Sequence, residues 1–186
     1  MIALLVATAI FTLFAALLLA WARQDYERHG TLTWRSAIAA WMLYLFHADT
    51  VGTAAFMDVA IVPVPETPAL VAGIAVGITG FALFCAAVAA LVRRGGFDGL
   101  TATALVTDGV FRLSRHPQNL GWGLLLLGFA IGSRSAVGLL LVVLFAVFAD
   151  RYSKLEEQHL RDRFGPEYAQ YQRAVPAYLG RTLRTA

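Results

Sequence analysis

Residues 120–149 read LGWGLLLLGFAIGSRSAVGLLLVVLFAVFA, an apolar run interrupted only at Ser133-Arg134-Ser135. A bilayer core about 30 Å thick takes roughly 20 residues per helical span, so this run is too long for one simple crossing and short for two. It reads as a tight helical hairpin in a membrane. The rest of the chain agrees: of 186 residues, 59% are hydrophobic and 15% charged, and the mean hydropathy is +0.65. A soluble domain of this size could not hide that much apolar surface.

Toward the amino terminus three more spans are expected. The first runs from Ile2 to Trp21 and is ended by the polar run Arg23 to Gly30. It has no basic leader and no convincing small-residue cleavage site, so it reads as a span that stays rather than a secretory signal. The second runs from Trp34 to about Val62, carries His47, Asp49 and Asp58, and is closed by Pro63-Val64-Pro65-Glu66-Thr67-Pro68, whose prolines cannot continue a helix. The third runs from Ala69 to Val92, with Gly73, Gly77 and Gly80 offering a small face for close helix contact.

Toward the carboxyl terminus the chain turns charged at Asp150, and Leu155, Leu160 and Phe164 set among Glu, Gln and Arg give the pattern of an amphipathic helix. Gly165-Pro166 ends that helix and starts another. The expected architecture is an all-α integral membrane protein of about five transmembrane helices, the last two a hairpin. It forms a single domain with three helices in 1–92, a cytoplasmic loop in 93–119, the hairpin in 120–149 and cytoplasmic amphipathic helices in 150–186.

The net charge of +3 does not point to nucleic acid, because the arginines cluster beside apolar spans, where they set topology or touch anionic lipid. Arg23, Arg28 and Arg35, then Arg93 and Arg94, then the arginines after the fifth span all fall on one side. That puts the amino terminus outside and the carboxyl terminus in the cytoplasm, with only Arg134 dissenting. Alanine- and arginine-rich usage points to a GC-rich prokaryote and so to its inner membrane. The single cysteine, Cys85, excludes an intramolecular disulfide. Gly95-Gly96-Phe97-Asp98-Gly99 is a poor dinucleotide fingerprint, since it follows a membrane helix and lacks the required spacing.

Chemistry concentrates in Arg112-Leu113-Ser114-Arg115-His116-Pro117-Gln118-Asn119-Leu120-Gly121-Trp122, where a basic loop enters an apolar helix. Pro117 suits the first turn, and the free N–H groups beyond it can hold an anion, with Arg115 and His116 as reinforcement. Gly121 and Gly123 would let a ligand or another backbone approach. The plainer alternative is that Arg115 and His116 anchor the helix at the lipid headgroups. Further on, Glu156-Glu157 follows the last span by one or two turns, where a bound cation could be met, unless the segment is simply a solvated charged face.

The order Arg115-His116-Pro117-x-x-x-Gly121, an apolar hairpin, then Glu156-Glu157-x-x-Leu160-x-x-x-Phe164-Gly165-x-x-Tyr168-x-x-Tyr171-x-x-x-Val175-Pro176 resembles the isoprenylcysteine carboxyl methyltransferase family, a pattern shared by related phospholipid methyltransferases. The resemblance covers about Ala104 to Tyr178. It implies a small membrane enzyme that uses S-adenosylmethionine near the cytoplasmic face. His116, with the backbone from Pro117 through Leu120 to Gly121, would contact the cofactor; Glu156 or Glu157 would meet its amino group; Tyr168 and Tyr171 would help close the pocket. The acceptor would be a lipophilic small molecule or lipid bearing a carboxylate, amine or thiol, with Arg115 or Arg112 holding an anionic one.

Two departures stand out. The family motif usually carries tyrosine where Asn119 stands, so any aromatic or hydroxyl role there is lost or taken over by an amide. Ala174 replaces the arginine that eukaryotic prenylcysteine enzymes carry before Val-Pro, with Arg173 adjacent, and Leu179-Gly180 replaces a late proline.

Other constellations are thinner. Glu156-x-x-His159 is half of a di-iron helix motif with no second copy, and the four histidines are scattered, so no metal is expected. Methyl transfer itself needs alignment and a desolvated nucleophile rather than a triad. His47, Asp49 and Asp58 leave room for a small transporter, or for interfacial and interhelical hydrogen bonds. A non-catalytic relative that kept the fold is a further alternative. Oligomeric state is not legible in the sequence.

Overall fold

A computed structural model describes residues 2–57, 60–94 and 105–180. Asp58 and the Gly95-to-Gly99 stretch lie outside the described residues. The elements are α1 (Ile2–His29), α2 (Trp34–Phe56), α3 (Glu66–Arg93), a 3-10 turn (Gly109–Arg112), α4 (Pro117–Gly132) and α5 (Ala136–Ala174). The chain is an all-α membrane protein, with α1, α3 and α5 long and apolar enough to cross a bilayer. α2 is diluted by His47 and Asp49, and α4, at 16 residues, is about 24 Å long at roughly 1.5 Å per residue.

Four boundaries differ from the sequence reading. α3 starts at Glu66 rather than Ala69, taking Thr67 and Pro68 into its first turn, where the missing N–H of proline costs nothing. α1 does not stop at Trp21. Only its apolar part does, because the polar run contains no helix breaker and is braced by an Arg23–Glu27 pair at 3.0 Å; the helix stops at Gly30, whose φ of +65° the absent side chain allows. α2 ends at Phe56 rather than near Val62. The carboxyl-terminal region is one helix running from the hairpin into the charged segment without a break, kinked where expected, at Gly165 (φ 50°, ψ −122°) before Pro166. The hairpin turn is Ser133-Arg134-Ser135, with Arg134 in the left-handed region (φ 55°). Its guanidinium lies 3.3 Å from Glu66, so the one arginine that breaks the charge asymmetry has a carboxylate partner.

The apolar core gathers Phe11 and Leu18 of α1, Leu43 and Val51 of α2, Trp122 and Leu126 of α4, and Phe145 and Phe148 of α5. α3 stands apart from this cluster and is held almost entirely by α4. In lipid no hydrophobic force drives helices together, so close backbone approach has to supply the contact energy. Glycines provide it: a Cβ on Gly128 would lie 2.5 Å from the Gly77 nitrogen and 2.6 Å from the Gly73 oxygen, and one on Gly121 would lie 2.5 Å from the Phe84 nitrogen. The small face read from Gly73, Gly77 and Gly80 is therefore one half of a two-sided seam.

Along that seam Gly128→Ala should push the helices apart at a cost of about 1–3 kcal/mol, whereas Gly77→Ala, whose Cβ would meet nothing closer than the Gly128 Cα at 3.9 Å, should be tolerated. Thermal unfolding of the two purified variants tests this, and equal melting temperatures would contradict the seam.

Candidate active site

α4 begins at Pro117, and the residues just before it are strapped to the carboxyl-terminal segment. The Arg115 N–H donates to the Pro176 carbonyl at 2.9 Å and the His116 N–H to the Ala177 carbonyl at 3.2 Å. Ser114 Oγ donates to the same Ala177 carbonyl at 2.8 Å, and Tyr171 Oη donates to the Phe111 carbonyl at 2.7 Å. The spacing Tyr168-x-x-Tyr171-x-x-x-Val175-Pro176 thus puts one face of the last helix, and the strand-like residues after it, against the loop.

At the centre of this strap lies Glu157. Its Oε1 accepts from Arg115 Nε at 2.8 Å and from Nη2 at 2.7 Å, and lies 3.0 Å from His116 Nε2; its Oε2 accepts from Gln172 Nε2 at 3.0 Å. The remaining Arg115 nitrogen, Nη1, donates to the carbonyls of Val175 and Gln172. Burial works against the Glu157 charge, but hydrogen bonds from His116 and Arg115 outweigh it and hold the pKa near about 2. Burial likewise works against the His116 cation, and the carboxylates of Glu156 and Glu157 push its pKa up to about 9. The histidine is therefore an imidazolium at neutral pH.

Glu156 does something different. It sits 3.4 Å from His116 Nδ1, out of hydrogen-bonding alignment, and its side chain is 30% exposed. It lines both of two adjoining chambers, which hold about 100 and 150 Å³ inside their mouths. The first, the more polar in its side chains, has Arg94, Arg115, His159, Arg163 and Tyr168 in a wall whose exposed surface is still mostly apolar. The second is apolar and aromatic, lined by Ala37, Trp41 and Tyr44 of α2 and by Phe84 and Val88 of α3. Here the backbones of α2 and α3 stand apart and the helices meet through the edge-on rings of Trp41 and Phe84, 6.2 Å between centroids. Among the described residues its wall contains no cationic side chain. Tyr26, Leu91, Gln118 and Glu156 belong to both chambers and form the neck between them.

Of the site residues read from sequence, Arg115, His116, Asn119, Glu156, Glu157, Tyr168 and Tyr171 converge here. Arg115 and Glu157 are consumed by each other, and Glu156 is the carboxylate that faces open space. Asn119 is held at both ends of its amide, accepting from Tyr44 Oη at 2.7 Å and donating to Ser153 Oγ at 3.0 Å. Pro117 opens α4 and is fully buried. Gly121 faces α3, so the backbone it admits is that of Phe84 rather than a ligand. Arg112 is exposed at the end of the 3-10 turn, and neither it nor Leu120 lines a chamber. Tyr26, Tyr44, Gln118 and Tyr178 were not singled out in the sequence. Tyr26 reaches the site through the extension of α1 past Trp21, where its ring stacks on His159 at 4.3 Å. His47 is buried against Phe11 and bonded to the Leu141 carbonyl, while Asp49 is on the outer surface, so the two do not line a common path.

A family model described as phospholipid methyltransferase matches residues 68–167. Over 75 residues the chain is 36% identical to protein-S-isoprenylcysteine O-methyltransferase of Schizosaccharomyces pombe, a stretch covering 39% of this chain and 31% of that protein. The match thus spans under a third of the relative's length. No solved structure matches the chain.

The Glu157 cluster makes a stability prediction. The Glu157 contribution is full above its ordinary pKa of 4.5 and fades as pH falls toward about 2. The His116 contribution is full below 6.5 and fades as pH rises toward about 9. The melting temperature should therefore decline between about pH 6.5 and 9, and His116→Gln should flatten that decline. Glu157→Gln should destabilise by about 3–5 kcal/mol through the uncompensated Arg115 and His116 it leaves behind. Scanning fluorimetry across pH measures all three; an alkaline limb unaltered in a folded His116→Gln protein would contradict the assignment.

Proposed function

Because this chain belongs to the phospholipid methyltransferase family, we propose that it transfers a methyl group from S-adenosylmethionine to a lipophilic amine reaching the site from the bilayer. The observation that carries this reading is the pair of chambers meeting at a neck that holds Glu156: one with Arg94, Arg115 and Arg163 in its wall, the other lined by aromatic and aliphatic side chains of α2 and α3 with no described cation.

The polar chamber fits the cofactor's groups. Glu156 is placed for its cationic end, Arg94 and Arg163 for its carboxylate, and the rings of Tyr26 and Phe111 for a flat heterocycle. The unpartnered Tyr168 hydroxyl in the same wall is free to bond it. When bound, the cofactor supplies an electrophilic methyl on a sulfonium. The acceptor nitrogen would take that methyl while sulfur keeps the bonding pair of the broken carbon–sulfur bond, so that the positive charge would end on nitrogen.

That charge flow discriminates among acceptors. With a neutral amine the reacting groups carry one positive charge from beginning to end, beside Glu156, which also faces the His116 imidazolium at 3.4 Å. A carboxylate acceptor would bring a second anion next to Glu156, into a chamber whose described walls hold no cation. Arg115, the natural partner for an anion, is committed to Glu157 and two carbonyls. The aromatic wall of Trp41, Tyr44 and Phe84 suits the ammonium product as well. The arginine asymmetry supports a cytoplasmic location for this end of the protein, with the amino terminus outside.

The test has two parts. Calorimetric titration with S-adenosylmethionine should show saturable binding that weakens about tenfold in Glu156→Gln, equivalent to one charge-assisted hydrogen bond. Incubation with methyl-labelled cofactor should label oleylamine or an amino-phospholipid in preference to a prenylcysteine carboxylate. Binding without labelling of any acceptor would support a non-catalytic relative, and labelling confined to the carboxylate would overturn the choice of amine.

A further inference from the structure

Two amide side chains stand side by side at the start of α4, and the protein uses them in opposite ways. Asn119 has its oxygen and nitrogen both engaged, by Tyr44 and Ser153. Gln118, one residue earlier, has no hydrogen-bond partner among the described residues, and its Oε1 is fully buried. A buried amide oxygen without a partner is expensive to keep, and native structures satisfy nearly all such groups. An orphan that persists needs a reason outside the resting fold.

Its position supplies one. Gln118 lines both chambers, together with Tyr26, Leu91 and Glu156. Of the groups around it, Arg115 is bonded to Glu157, Tyr171 to the Phe111 carbonyl and Tyr44 to Asn119. The Gln118 amide is thus a neutral hydrogen-bonding group left open where the two chambers join, alongside the Tyr26 hydroxyl.

We propose that the Gln118 side chain orients the acceptor, its Oε1 accepting a hydrogen bond from the acceptor's N–H at the point of transfer. This rests on the amine reading above. An amine held by one N–H at the neck has its alkyl chain in the apolar chamber and its lone pair free to face the polar one, which is the alignment an in-line displacement requires. A nucleophile without a hydrogen to donate gains nothing from this oxygen. Gln118 therefore adds selectivity that Glu156, a charge accessible to any cation, cannot provide.

The full-length protein in detergent micelles, with oleylamine as acceptor, tests the assignment. Gln118→Met keeps the side-chain length and removes the amide. It should raise the KM for oleylamine roughly 3- to 10-fold, the worth of one neutral hydrogen bond, and leave calorimetric affinity for S-adenosylhomocysteine unchanged. Its melting temperature should be equal to or above that of the parent, since no bond within the fold is lost. Gln118→Glu, which keeps acceptor oxygens, should restore most of the KM. A drop in melting temperature would make Gln118 a structural residue, a drop in S-adenosylhomocysteine affinity would make it a cofactor contact, and an unchanged KM would remove it from the reaction; each overturns the inference while leaving the amine reading intact. If the parent protein methylates a prenylcysteine carboxylate and not oleylamine, both readings fall together.

Discussion

A carboxylate taken out of water must be matched by nearly all the hydrogen bonds it can accept, and Glu157 meets that demand by recruiting from separate parts of the chain. Arg115 and His116 come from the loop before α4 and Gln172 from beyond the Gly165 kink. Satisfying one charge therefore fixes the relative positions of α4, the body of α5 and the carboxyl-terminal strap. The adjacent carboxylate, Glu156, is left to face the chambers because the helix turns it about 100° away from its neighbour. Two consecutive glutamates do two jobs: one builds the site and the other lines it.

The glycine seam between α3 and α4 completes the frame. α3 has little share in the aromatic core, so its position follows from α4 alone. With α3 drawn to α4 and α2 drawn to α1 and α5, a gap opens between α2 and α3, and the apolar chamber occupies it. Gly121 makes the connection explicit: a motif position that sequence reasoning offers to a ligand or a backbone goes to the backbone of Phe84. The glycine shapes the chamber by placing the helix rather than by touching what the chamber holds.

Much of this was legible in the sequence. Hydropathy and proline placement located the helices, because in lipid the apolar length of a segment and its helix breakers are nearly the whole constraint. The joint spacing of Arg115-His116-Pro117 with Glu156-Glu157 picked out residues that the fold brings into contact, and Gly165-Pro166 located the kink. The division of labour within the glutamate pair was not legible, since adjacent carboxylates have the same local pattern and differ only in which way the helix faces. Tyr26 and Tyr44 were hidden for another reason: they arrive from helices whose sequence, read alone, describes only membrane spans. The extension of α1 past Trp21 was missed because a polar run was taken as a stop, when polarity ends a span and only Gly30 ends the helix.

α4 is shorter than a bilayer core is thick. Its 16 residues give about 24 Å, so in the proposed topology, with the hairpin turn at one membrane surface, its other end, where the neck lies, would stop short of the opposite one. An acyl chain delivered to that depth never has to leave hydrocarbon, and so avoids an extraction penalty of about 0.8 kcal/mol per methylene. For such a molecule the quantity that governs occupancy is its mole fraction in the membrane plane, not its concentration in the surrounding water. Diluting it with inert lipid at constant bulk concentration lowers saturation, and adding protein and membrane together leaves it unchanged.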